Sequence, residues 1–273
     1  MDPTYKTAIY DQELINTLTY QRDLLIESLE YAKNIQKAIF PTYQQIHYLF
    51  SDSFVFFLPK DIVSGDFYWI RKIDDNIVFT VGDCTGHGVP GAFMSILGII
   101  FLNEITNHEP LLSANQILNA LRERIMKILN QTGKNYEQKD GMDLTLCIYN
   151  EKTNILQFAG ANNPLYHVRD KTIHSLKGDK MPIGISGLYE ESFSNHTIEL
   201  KNKDRIYLFT DGFADQFGGK KDEKFKIKRF RQLLLDIQDY DLEKQKQKLR
   251  ETHMSWKGNA EQVDDILIMG IGF

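Results

Sequence analysis

Residues 11–40 follow a helical pattern of apolar and polar positions, with no Gly or Pro, and Pro41 ends it. We therefore predict one long N-terminal helix. Apolar residues recur in it every seven positions and are flanked by others; these are Leu18, Leu25, Ala32 and Ile39, with Leu14, Leu29 and Ile35. The repeat is imperfect, because Gln21 and Ser28 fall where a second apolar column should be. Two interpretations stay open: a dimerising coiled-coil stem, which we favour because the segment precedes the apparent domain, or an amphipathic helix packed on its own domain.

From residue 53 onward the pattern changes to short apolar runs separated by turns. Strands are predicted over residues 54–58, 67–73, 77–81, 144–149, 155–159, 165–168, 173–176, 205–209 and 266–271. Helices are predicted over residues 90–107, after a cap at Ser113, over residues 226–238 and over residues 242–256. Short turns such as Asp74-Asp75-Asn76 favour antiparallel pairing over a doubly wound parallel sheet. The prediction is an α+β layered sandwich over residues 42–273, preceded by a stem over residues 1–41.

Composition narrows the function classes. Hydrophobic residues make up 42% of the chain and the net charge is −5, so a folded core is expected and nucleic acid is a poor candidate partner. The two cysteines, Cys84 and Cys147, cannot form a disulfide framework in a chain of this size and lack zinc-ligand spacing. The uncharged stretch at residues 89–103 is shorter than the roughly 20 residues that span a bilayer. With no signal-like segment at the start, we expect a cytoplasmic location, either alone or as the cytoplasmic part of a longer sensor protein.

Four aspartates lie at the edges of apolar runs, three of them next to a glycine; they are Asp66, Asp83, Asp211 and Asp264. Strand edges can bring carboxylates from distant sequence positions to one point. Carboxylates at one point repel each other, and a hard divalent cation removes that conflict. Oxygen ligands without histidine or thiolate favour Mg²⁺ or Mn²⁺ over Zn²⁺. A single Asp-Gly is most often a turn, but four such sites together indicate a metal-dependent hydrolase.

Five motifs in order then carry a family resemblance. They are Ser64-Gly65-Asp66-Phe67-Tyr68, the stretch from Gly82-Asp83-Cys84 to Gly91-Ala92, the stretch from Phe158-Ala159-Gly160 to Pro164, Phe209-Thr210-Asp211-Gly212, and Asp264-Asp265-Ile266. Together they resemble the SpoIIE/RsbU-type branch of the metal-dependent (PPM, type-2C) serine/threonine protein phosphatases. Residues 32–41 also resemble the linker helix that often enters this domain.

The resemblance implies a four-layer α-β-β-α sandwich with two central antiparallel sheets and two Mn²⁺ or Mg²⁺ ions at one end. Asp83 would bridge both ions, Asp66 would hold one of them partly through water, and Asp211 and Asp264 would hold the other. The backbone carbonyl of Cys84 would be a further ligand. Asp265 would stand behind the ligands and orient its neighbour.

The implied activity is hydrolysis of phosphoserine or phosphothreonine by a water activated between the two ions. A bacterial signalling pathway is expected, with a phosphorylated STAS-type anti-sigma-factor antagonist as the substrate class and a homodimer formed through the N-terminal helix. His87 could donate a proton to the leaving oxygen, or hold the entry to the following helix. Two competing functions are a catalytically silent phosphoprotein-binding module and a two-metal nuclease or phosphodiesterase. The complete aspartate set disfavours the first and the acidic charge disfavours the second.

Overall fold

The computed structural model describes residues 3–107, 112–133 and 139–273, with side chains from residue 12 onward, so residues 1 and 2 of the predicted stem lie outside it. The helices are α1 (Pro3–Ile39), α2 (Tyr43–Leu49), α3 (Gly88–Ile105), α4 (Ala114–Ile128), α5 (Gly212–Asp215), α6 (Ile227–Asp236) and α7 (Leu242–Lys257). The strands are β1 (Ser53–Leu58), β2 (Phe67–Ile73), β3 (Asn76–Cys84), β4 (Met142–Asn150), β5 (Ile155–Ala161), β6 (Leu165–Arg169), β7 (Thr172–Leu176), β8 (His196–Glu199), β9 (Arg205–Phe209), β10 (Phe217–Gly218), β11 (Glu223–Lys224) and β12 (Ile266–Gly272).

The strands form two antiparallel five-stranded sheets and one short hairpin. The first sheet has the order β1-β12-β9-β6-β7, the second has the order β2-β3-β4-β5-β8, and β10 pairs with β11. The last strand of the chain therefore lies between the first strand and β9, which ties both ends of the domain into one sheet. The predicted antiparallel pairing is confirmed.

Period-2 alternation along the strands explains why the two sheets stack. In β3, Val78 packs outward against α3 and α4, while Ile77 and Phe79 face the other sheet. In β12, Ile268 packs outward against α6 and α7, and Leu267 faces inward. The two sheets therefore share one central core, and each has a second core beneath its own helices. This is the predicted four-layer α-β-β-α sandwich.

The N-terminal helix contributes little to these cores. Its apolar residues remain largely exposed; Leu14, Leu18, Leu25 and Ile35 are 57%, 54%, 67% and 49% exposed. Over residues 12–39 the only fully buried side chain is that of Gln36. The interpretation as an amphipathic helix packed along its own domain is therefore wrong for most of its length.

The structure differs locally from the sequence pattern at three points. Strand β3 runs to Cys84 rather than ending at Val81, because Gly82 and Asp83 still pair with residues of β4. The predicted strands omit β8, β10 and β11, which have only two to four residues, and the predicted helices omit α2 and α5. Helix α3, although apolar on nearly all of its faces, exposes Val89, Phe93 and Ile100 on one side.

Helix α3 is also the one helix in the described ranges that is long and apolar enough to cross a membrane by length and composition. It packs against α4, β3 and α1. Core helices of soluble proteins pass the same test, so the finding is weak evidence for a membrane span.

Candidate metal centre

The two central sheets deliver the predicted aspartates to one end of the sandwich. Asp66 directly precedes β2 and Asp83 lies near the end of β3, so both belong to the second sheet. Asp211 follows β9 and Asp264 precedes β12, so both belong to the first sheet. Because β9 and β12 are antiparallel neighbours, the end of one lies beside the start of the other. The fold therefore brings together carboxylates that are up to 198 positions apart in sequence.

A cleft of about 430 Å³ lies among these strand ends. Its lining includes three of the four aspartates, Asp83, Asp211 and Asp264, together with Cys84 and His87. Asp66 does not line it; its side chain is only 2% exposed and accepts a hydrogen bond from Thr210 Oγ1 at 2.7 Å. Within the described ranges, no three Asp, Glu, His or Cys side chains are already gathered closely enough to enclose an ion. Three of the four carboxylates thus line one cleft, and the set does not converge on one point.

Close backbone contact holds the Asp211 and Asp264 segments together. A Cβ added at Gly212 would lie 1.9 Å from the carbonyl oxygen of Asp265, so only glycine allows this approach. The backbone N–H of Asp265 donates to Asp264 Oδ1 at 2.8 Å, which fixes the orientation of that carboxylate. The rigid backbone therefore sets the position of both acidic groups.

The carboxylate of Asp265 holds a different loop. It accepts hydrogen bonds from the backbone N–H groups of Lys60 at 2.7 Å and Gly65 at 2.8 Å. Gly65 is the residue before Asp66, so Asp265 links the two sheets at the site. Its predicted place behind the ligands remains a prediction, and its contacts show that its side chain positions the Asp66 loop.

The electrostatics of the cleft are those of an uncompensated acidic cluster. Burial, followed by repulsion from Asp211 and Asp264, raises the pKa of Asp83 to about 8. Burial, followed by repulsion from Asp83, holds the pKa of Asp66 well above its ordinary value. Burial, followed by repulsion from Asp215 and then Asp264, raises the pKa of Asp211 to about 6. Such a set needs protons or cations to become stable.

These residues fit a hard divalent cation. The donors are carboxylate and carbonyl oxygens, their ionised forms repel each other, and the cleft has room for ions and water. Any contribution of Cys84 would come through its backbone carbonyl, because its side chain is 3% exposed and burial raises the pKa of its thiol well above the ordinary value.

Asp143 is a site residue that the sequence reasoning missed. It lies in β4 directly opposite Asp83, lines the cleft and accepts a hydrogen bond from Asn162 Nδ2 at 2.8 Å. Burial raises the pKa of Asp143, and the Asn162 hydrogen bond opposes that shift. The sequence context could have indicated it, since Asp143 lies two residues after Gly141 at the start of an apolar run. The predicted strand began at Leu144, which placed Asp143 outside it.

His87 sits at the entrance of the cleft, at the N-terminus of α3. Its Nδ1 lies 2.6 Å from Asp61 Oδ2, and its Nε2 lies 3.0 Å from Lys60 Nζ. A carboxylate accepts and an ammonium donates, so Nδ1 carries the proton and Nε2 accepts. The ring therefore holds the loop of residues 60–61 against α3, which supports the structural interpretation of His87 over proton donation.

Comparison with known proteins gives matches over most of the chain. Residues 73–273 match the family model described as Stage II sporulation protein E (SpoIIE). The phosphoserine phosphatase RsbU of Bacillus subtilis (strain 168) is 24% identical over 162 residues, which cover 58% of this chain and 45% of that protein. The chain therefore matches less than half the length of this curated relative.

Solved structures share the same architecture. The SiaA-PP2C domain of Pseudomonas aeruginosa has a TM-score of 0.83 at 30% identity, covering 93% of this chain and 98% of that one. The PP2C phosphatase domain of SpoIIE from Bacillus subtilis, solved with a fragment of its regulatory domain, has a TM-score of 0.63 at 18% identity. It covers 81% of this chain and 62% of that one, and at this identity it shows the fold alone.

Proposed function

This chain belongs to the SpoIIE family of PP2C-type serine/threonine phosphatases, and from that premise we propose that it hydrolyses phosphoserine or phosphothreonine in a protein substrate. The predicted family is confirmed, as is the prediction of a protein serine/threonine phosphatase at the level of the domain. The single observation that carries the proposed activity is the cleft that Asp83, Asp211 and Asp264 line together. These three residues come from the ends of strands in both sheets.

The chain's own residues have distinct roles in this proposal. Asp83 would be a ligand of both Mn²⁺ or Mg²⁺ ions, and the further ligands would be Asp66, Asp211, Asp264 and the backbone carbonyl of Cys84. When bound, such ions lower the pKa of a water molecule and offset the charge of a phosphate group. Raised carboxylate pKa values support this assignment, because each ionised group would gain a cation in place of a repelling neighbour.

The substrate class follows from the family resemblance. We propose a phosphorylated STAS-type regulator in a bacterial signalling pathway. The cleft is open at the surface, as a phosphorylated side chain on a folded protein would require, and Lys139 is part of its lining. A lysine at that edge can attract the phosphate group by charge.

Asp83→Asn tests the activity. We expect the Mn²⁺-dependent hydrolysis of a phosphoserine peptide to fall by about 10²–10³-fold, since one of the charges that would bind the ions is lost. The matched control is Asp239→Asn, an exposed aspartate in a surface ion pair with Lys171. Full activity in Asp83→Asn would exclude this site. A bis-ester substrate, assayed in parallel, separates a phosphatase from a phosphodiesterase, and no turnover of either would favour the silent binding module.

A homodimer through α1 is the second part of the proposal. Leu18 and Leu25 are more than half exposed, and an isolated helix with such a stripe gains stability by pairing with another. We expect the wild-type chain to sediment as a dimer and Leu25→Glu to sediment as a monomer in analytical ultracentrifugation. The exposed Asn16→Glu, on the face of the same helix opposite Leu18 and Leu25, is the control for added charge. A monomeric wild-type chain would contradict the proposed dimer and leave the active site untouched.

A further inference from the structure

The stem helix α1 is joined to the domain through a polar side chain. Gln36 is 5% exposed, whereas its neighbours Ile35 and Lys37 are exposed. Burying an amide is costly unless its donor and acceptor groups are all paired. An apolar side chain could hold the helix on the domain with a smaller desolvation penalty. The hydrogen bonds of the Gln36 amide therefore indicate a role beyond attachment.

Those contacts converge on one peptide segment. Gln36 Nε2 donates to the carbonyl oxygen of Ser64 at 2.7 Å, and Gln36 Oε1 accepts from the backbone N–H of Ser64 at 3.1 Å. Nε2 also lies 3.0 Å from Ser95 Oγ on α3. The side-chain amide therefore pairs with both backbone groups of Ser64, as a neighbouring strand would, and fixes that residue in place.

Ser64 in turn positions the aspartate two residues later. The backbone N–H of Asp66 donates to Ser64 Oγ at 3.1 Å. Between them, the backbone N–H of Gly65 donates to Asp265 Oδ2 at 2.8 Å. Residues 64–66 are thus held from one side by the stem helix and from the other by the first sheet.

There is little room for this segment to shift independently. A Cβ added at Gly65 would lie 2.5 Å from the carbonyl oxygen of Gly86, in the loop that follows Asp83 and Cys84. One added at Gly91 would lie 2.2 Å from the same oxygen and 2.8 Å from Gly65 Cα. A displacement of Ser64 is therefore passed to the loops that carry Asp66 and the Cys84 carbonyl.

We propose that Gln36 is a positioning residue that couples the stem helix to Asp66 and sets the affinity of the cleft for Mn²⁺. It acts through Ser64 and touches neither substrate nor metal. The inference rests on the proposed metal centre.

Gln36→Met is the primary test, because methionine keeps the length and volume of the side chain and removes the amide. We expect the dissociation constant for Mn²⁺, measured by isothermal titration calorimetry on the full chain, to rise about 10-fold. Hydrogen exchange at the amides of residues 64–66 should accelerate. In a phosphopeptide assay the half-saturating Mn²⁺ concentration should rise similarly, with the rate at saturating Mn²⁺ within two-fold of wild type.

Gln12→Met is the matched control, since it makes the same substitution at an exposed position of the same helix, away from the seam of the proposed dimer. Gln36→Glu is a second variant of similar size that still accepts from Ser64 N–H but cannot donate to its carbonyl, and it should also weaken Mn²⁺ binding. If both Gln36 variants lower thermal stability while Mn²⁺ affinity and exchange at residues 64–66 match wild type, Gln36 is only an anchor. If the Gln36 variants bind Mn²⁺ more weakly as expected but the wild-type chain hydrolyses no phosphoester, the proposed function is wrong and the proposed role of Gln36 is still supported.

Discussion

Strand β9 has one aspartate at each end, Asp204 before it and Asp211 after it, and the charges around the two carboxylates are of opposite sign. Asp204, directly before β9, is 1% exposed and fully paired within the chain. His167 Nε2 lies 2.9 Å from Asp204 Oδ2, Arg169 Nε donates to Oδ1 at 2.8 Å, and the backbone N–H of Lys201 donates to Oδ2 at 2.9 Å. Asp211, after β9, has acidic neighbours instead.

The pKa values of Asp204 and Asp211 are shifted in opposite directions. Burial would raise the pKa of Asp204, but the hydrogen bonds from Arg169, Lys201 and His167 outweigh it and lower the value to about 2. Burial and repulsion raise the pKa of Asp211 to about 6. Both groups are desolvated, so the presence or absence of compensating charge decides the direction. A structural aspartate is neutralised from within the chain, whereas the cleft aspartates repel each other and are the ones proposed to bind cations.

The largest effect should come from removing the self-contained aspartate. We expect Asp204→Asn to lower the free energy of unfolding by about 3 kcal/mol at pH 7, because Arg169 and the buried His167 lose their partner. Urea denaturation measures this. Asp239→Asn, an exposed control, should change stability by less than about 0.5 kcal/mol. Equal stability of both variants would mean that Asp204 is not compensated as the contacts indicate.

The pH dependence of stability in wild type and Asp204→Asn tests the same assignment. The pKa of Asp204 is lowered from 3.8 to about 2 on folding, so the unfolded state binds more protons between these values. Its contribution, roughly 2 kcal/mol, is fully present above pH 4 and is lost as the pH falls toward 2. The stability difference between wild type and Asp204→Asn should therefore shrink on acidification. A difference that grows would reverse the sign of the proposed linkage.

Added metal should stabilise the protein only through the cleft. At a Mn²⁺ concentration about 100 times the dissociation constant, the free energy of unfolding should rise by about 2.7 kcal/mol. Asp211→Asn should lose most of this gain, while Asp204→Asn, although less stable, should keep it. Thermal melts with Mn²⁺ and with EDTA measure both. A full Mn²⁺ gain in Asp211→Asn would place the ions elsewhere.

The smallest effect is expected at Asp143, which touches the cleft from β4. Asp143→Asn should raise the half-saturating Mn²⁺ concentration about 10-fold, since the group adds negative charge beside Asp83 without being one of the assigned ligands. Asn162→Ala, which removes its hydrogen-bond donor, is the companion variant and should have a weaker effect. A loss of activity as large as in Asp83→Asn would make Asp143 a ligand.

Local pattern was sufficient for much of this architecture. Strands such as β2 and β9 were predicted with the observed ends, because their apolar runs are bounded by turn residues. The predicted end of β3 was wrong. Gly82-Asp83 is a typical turn sequence, but in the structure both residues still pair with residues of β4. Strand β8 was missed since its four residues have no apolar run, and its pairing with β5 defines it.

The aspartates and their sequence contexts were visible along the chain, since each side chain's chemistry and its place at an apolar edge are local properties. Their mutual distance, the entry of Asp143 and the pairing of Gln36 with Ser64 were not visible. These depend on which strands become neighbours and which helix face is covered, and burial and Coulomb repulsion arise only once that packing has formed. The aspartates at the two ends of β9 have similar sequence contexts. The folded surroundings place one in a buried ion pair and the other in a cleft lined by further acidic groups.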